Sequence, residues 1–152
     1  MPDPSSSTLA EFNRQVLLFQ DEAFTLACDL LDDEGTAIRV TQEAFEQVYS
    51  RDWKGNGSIR LPVLQRIILV SSESRAILKK RKNTLLGELP EPERFVLLLV
   101  DHLSLTYEET SRVLHCSLDT VASRLAHARW KIADYNDIGR RIIHAEDKNP
   151  GG

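Results

Sequence analysis

Two pairs of adjacent side chains invite a chemical reading first. Asp101-His102 and His115-Cys116 each set a proton carrier beside a group that can bind a metal or attack an electrophile. Neither pair has the company that catalysis needs. His102 falls at the end of a predicted helix and His115 in a turn. No third ligand stands at metal spacing, and no glycine-rich loop is present to cradle a phosphate. Cys28 and Cys116 are far apart with no Cys-x-x-Cys, and read as small hydrophobes without a disulfide. No catalytic residue, metal or cofactor is assigned, and the chain is not read as an enzyme.

A second set of residues carries more information. Val121, Leu125, Ala128 and Ile132 recur at intervals of four, three and four, the inward stripe of a helix from Leu118 to about Ile132 with Ser117 as its cap. The outward face of that helix then presents Thr120, Ser123, Arg124 and His127, hydroxyls and cations able to reach base edges in a major groove. Arg112, Arg129 and Lys131 add charge for phosphates, while the carboxylate of Asp119 opposes them. On spacing alone, an ordinary helical bundle with a charged surface fits as well.

These residues need positioning, and the chain supplies only helices to do it. Leu9, Phe12, Val16, Phe19, Ala23, Leu26 and Leu30 form one apolar stripe, on a single helix or on two with a break near Gln20. Gly35 is expected to stop it, and Thr36 to cap a second helix whose inward face is Ala37, Val40, Thr41, Ala44, Phe45 and Val48. Residues 53–58, rich in turn formers, make a loop. Ser58 caps a third helix with Pro62 in its first turn and Leu64, Ile67, Ile68 and Leu78 on its buried side. That helix ends in the basic run Lys79, Lys80, Arg81, Lys82, where the helix dipole favours cations. A helix from Glu93 to His102 follows, with Phe95, Leu98 and Leu99 inward. Next is one from Thr106 to Leu114 that opens with the capping box Thr106-x-x-Glu109. His115 takes the turn position where glycine is favoured. The expected fold class is all-α.

Charge is unevenly spread. Residues 1–58 carry 11 acidic and 4 basic side chains, residues 59–84 carry 1 and 7, and residues 85–152 carry 11 and 8. The net charge of −4 excludes a general nucleic-acid coat, and the asymmetry implies different partners for different segments. No apolar run approaches the roughly 20 residues of a membrane span, and residues 1–8 lack the basic start and apolar core of a secretory signal. A cytoplasmic location with no membrane partner is expected.

The stretch Leu89-Pro-Glu-Pro-Glu-Arg-Phe-Val-Leu-Leu-Leu, then Leu105-Thr-Tyr-Glu-Glu-Thr, then Asp119-Thr-Val-Ala-Ser-Arg-Leu-Ala-His-Ala-Arg129 resembles region 4 of the extracytoplasmic-function sigma factors. The N-terminal half is similar to region 2 of the same family, more weakly, through Leu30-Leu31-Asp32-Asp33, Gln42-Glu43-Ala44-Phe45, Trp53-Lys54-Gly55 and the closing basic run. The resemblance implies a region 2-like domain over 1–83, a region 4-like helix-turn-helix domain over 84–133, and a partly disordered tail over 134–152. It also implies promoter DNA contacts at Arg112, Thr120, Ser123, Arg124, His127, Arg129, Lys131 and Lys79 to Lys82. Contacts with core RNA polymerase fall on the stretch holding Arg39, Gln42, Glu43 and Phe45, and an anti-sigma factor is the implied regulator.

Several positions depart from the family pattern. Arg39 stands where the family has an acid. The window Arg66-Ile67-Ile68-Leu69-Val70 replaces polar and basic side chains that hold opened DNA, and Ala122 with Asp119 replaces a Lys and a Gly. Six residues, Asn83 to Glu88, span at most ~20 Å, so the two helical units are expected to pack together. These departures keep a second reading in play: a sigma-factor mimic with promoter melting lost, acting by binding an anti-sigma factor, another regulator or a copy of itself.

Overall fold

The computed structural model describes residues 4–31, 33–73 and 89–147, with side chains over 7–31, 33–73 and 89–134. Among these, every regular element is a helix. Helix α1 (Pro4–Leu30) runs unbroken past Gln20, with Phe12, Ala23, Leu26 and Leu30 buried and Leu17 and Leu18 in solvent. Leu9, at the start of the expected stripe, is largely exposed.

Helix α2 (Glu34–Gln47) is capped by Asp33, not by Thr36: its Oδ2 accepts from Thr36 N at 2.9 Å and from Thr36 Oγ1 at 2.7 Å. A carboxylate satisfies the orphan amides of the first turn and favours the positive end of the dipole. Gly35 thus lies inside that turn rather than after a helix. The chain continues from α2 into a π-helical turn, Val48–Asp52, closed by Trp53 N to Val48 O at 2.8 Å. In the loop that follows, Gly57 adopts φ +80 and its carbonyl accepts from Gln15 Nε2 and Trp53 Nε1. Gln15, itself buried, accepts from Ile59 N at 2.8 Å, so one amide side chain ties the loop to α1. Ser58 Oγ accepts from Arg60 N at 3.1 Å as α3 (Arg60–Glu73) begins.

Helix α4 (Glu91–Leu97) passes into a second π turn, Leu98–His102. After Ser104 at φ 60 comes α5 (Tyr107–Leu114). Its capping box forms as expected, Thr106 Oγ1 accepting from Glu109 N and Glu109 Oε1 from Thr106 N, each at 3.0 Å. His115 closes α5 in the left-handed conformation, φ 51 and ψ 50. Helix α6 (Leu118–Asp147) continues well beyond Ile132, where the sequence pattern ends it.

Two apolar clusters result. The larger is built on α1, α2 and α3 but also takes in Leu98, Leu99, Leu105 and Val113 from the second half of the chain. The smaller holds Leu89, Val96, Leu97, Val121, Leu125 and Ala128, between α4 and α6. The expectation that the two helical units pack together is met. Ile67, Ile68 and Val70, read from sequence as a lost melting surface, are buried in the larger cluster, and only Leu69 of that window faces solvent. No helix among the described residues is long and apolar enough to cross a membrane.

Candidate nucleic-acid interface

Three residues set the angle between α5 and α6. Cys116 N donates to Ser111 O at 3.2 Å and Ser111 Oγ donates to Cys116 O at 2.6 Å, so the small Ser111 side chain staples the turn. Ser117 Oγ accepts from Thr120 N at 3.1 Å and starts α6. Val121, Leu125 and Ala128 then face α4 and are fully covered, which turns Ser123 outward into solvent.

The expected DNA contacts divide into three kinds. Arg112 and Ser123 are exposed. Thr120 is half-buried and its hydroxyl already shares a hydrogen bond with Ser117 Oγ at 2.8 Å. Arg124 is also half-buried: it lines a groove with Ile68 and Leu69 of α3, Phe95 of α4, Leu114 and His115. The remaining three face carboxylates of this same chain. His127 Nδ1 meets Glu93 Oε1, and Lys131 Nζ lies 3.4 Å from Glu93 Oε2. Arg129 grips Asp101 with two bonds, at 3.0 and 2.5 Å, which hold its guanidinium above its ordinary pKa. Lys79, Lys80, Arg81 and Lys82 lie outside the described residues.

On α2, Arg39, Gln42 and Glu43 project into solvent, as a docking surface requires. Phe45 does not. It is only 9% exposed and belongs to the larger cluster, so it serves packing and is withdrawn from the contact set. The two histidines first considered for chemistry are joined to the N-terminal helices instead. His102 Nδ1 is 2.8 Å from Asp29 Oδ2, and His115 Nε2 contacts Gln65 Nε2.

Arg60 is the residue the sequence pattern hid. Its Nε donates to Glu22 Oε1 at 2.8 Å and its Nη2 to Leu103 O at 3.2 Å, while Nη1 lies 3.7 Å from Glu109 Oε2. Burial lowers and Glu22 more strongly raises its pKa, so it stays charged. One guanidinium thereby holds α1, α3 and the start of α5. Glu93 and Asp101 were missed for the same reason: their partners lie 28 to 38 residues away, beyond any helical period.

Among the described residues every regular element is a helix, and the α5–turn–α6 unit is stapled, capped and packed as a helix-turn-helix, an arrangement that recurs in known proteins. Residues 83–132 match the family model for sigma-70 region 4. Over nearly the whole chain the fold is similar to CnrH, solved in complex with the cytosolic domain of CnrY. The TM-score is 0.76 and the identity 18%, over 89% of this chain and 93% of that one. It is also similar to the sigma factor RpoE of Bartonella quintana in complex with the anti-sigma factor NepR, with TM-score 0.66 and identity 15% over 84% and 98%. No curated protein matches significantly by sequence. The expected helical fold stands, and the resemblance to region 4 is matched over residues 83–132.

Proposed function

We propose that this protein binds promoter duplex DNA through the first turns of α6, with Ser123 and Arg124 at base edges and Arg112 on phosphate, and that it directs core RNA polymerase through the exposed α2 face of Arg39, Gln42 and Glu43. The observation that carries the reading is the Ser117-capped helix, seated by Val121 and Leu125 and leaving Ser123 in solvent. Arg124 lines a groove with Gln65 and Leu69 of α3, a closed arrangement that its turning toward DNA would open. An anti-sigma protein that stabilises the closed arrangement is the fitting regulator.

A second reading is favoured by that closure: a mimic that works by protein binding alone. Arg124, half-buried in the groove it shares with Ile68 and Leu69, and His115 in contact with Gln65 both support it. Duplex binding at low salt separates the two. Under the first reading, Arg124→Ala weakens binding by about 1–3 kcal/mol and the affinity of the native chain falls with salt. Undetectable duplex binding at low salt, with a protein partner still held, selects the second.

A further inference from the structure

Resting on the DNA-binding reading, the structure assigns to Glu93 and Asp101 the task of limiting that binding: they hold His127, Lys131 and Arg129 off the phosphate backbone, so that selectivity falls to Arg124 and Ser123. Between Leu118 and Ile132 the recognition helix carries three formal cations, Arg124, Arg129 and Lys131, beside His127. Two of the three, and the imidazole, are already met by carboxylates of the α4 helix and its π turn. The Glu93 side chain is 13% exposed, covered by the two groups it serves. Asp101 forms a two-point pair with Arg129.

A guanidinium in a bidentate carboxylate pair that turns to a phosphate exchanges one anion for another and gains little. The carboxylate left behind then faces the DNA with its own negative charge. Each phosphate neutralised contributes about 0.9 to the slope of log affinity against log salt, so every cation held internally is subtracted from sequence-independent binding. Specific recognition loses nothing by this, because base-edge contacts come from the N-terminal half of the helix. The α4 acids therefore raise the ratio of specific to non-specific affinity.

The test uses the full chain and a fluorescein-labelled duplex of arbitrary fixed sequence, followed by anisotropy across a salt series. Circular dichroism checks that each variant keeps its helix content. Asp101→Asn and Glu93→Gln are expected to tighten binding several-fold and to steepen the salt slope by about 0.9 each, while Arg129→Gln changes neither by much. Native-like affinity and slope in both acid variants, alongside an Arg124-dependent native chain, overturn the assignment and leave the DNA-binding reading standing. So does a loss in Arg129→Gln as large as that in Arg124→Ala. Binding that appears only in the acid variants supports the assignment, and no binding by any of them overturns both.

Discussion

The two apolar clusters differ in self-sufficiency. The larger is closed by α1, α2 and α3 with fully covered Leu26, Leu30, Leu64 and Ile67 at its centre. The smaller has six buried residues, one an alanine, too little apolar burial to offset the ordering of its own helices. The helix-turn-helix half makes up the difference by lending Leu98, Leu99, Leu105 and Val113 to its neighbour. The difference teaches that the helix-turn-helix unit is seated as well as attached, and that its presentation depends on the N-terminal helices.

The sharpest way to break that comparison is at the shared residues. Leu99→Ala should cost about 2–5 kcal/mol and lower both halves together in one thermal transition. Leu125→Ala, of similar cost, should instead weaken hydrogen-exchange protection in α4 and α6 first. Two separate transitions in the Leu99 variant would show that the halves fold alone. Next in size is Arg60→Ala, where three partly solvated partners are lost: roughly 1 kcal/mol is expected, with a wider distance between labels on α3 and α5 measured by spin-echo spectroscopy. His115→Gly should relieve a left-handed non-glycine residue and stabilise by up to about 1 kcal/mol, less whatever the Gln65 contact contributes. His115→Ala, which keeps the backbone penalty, reports that contact separately.

The smallest effect concerns acid. Arg66 donates to Asp52 at 2.5 and 2.7 Å and holds its carboxyl below the usual range. A depressed carboxylate stabilises the fold above its unfolded pKa, about 3.9, and that contribution is lost as pH falls through the lower folded value. Asp52→Asn should therefore flatten the stability profile below about pH 4 and leave it unchanged in shape near neutrality. A profile that remains as steep as the native one would exclude this pair as a source of acid sensitivity.

Helical periodicity made the elements legible wherever one face is apolar, as at Val121, Leu125 and Ala128, and local capping made Thr106, Glu109 and Ser117 legible as well. It misjudged Gly35 and Thr36 because Asp33, one turn earlier, competes for the same amides and wins by its charge. Periodicity also placed Phe45, Ile67 and Ile68 on inward faces, and the packing follows that reading rather than the contact roles that family analogy suggested for them. What sequence could not reveal was pairing between distant helices. Arg129 looks like a free cation until Asp101 is beside it, and Arg60 like an ordinary surface charge until α1, α3 and α5 converge.

Glu109 has two carboxylate oxygens with separate duties. Oε1 completes the cap on α5, and Oε2 faces Arg60 of α3. A tug on the guanidinium is thus felt at the first peptide of the helix that leads into α6. Domain seating and local helix start become one mechanical quantity, and a ligand that displaces Arg60 would loosen both at once.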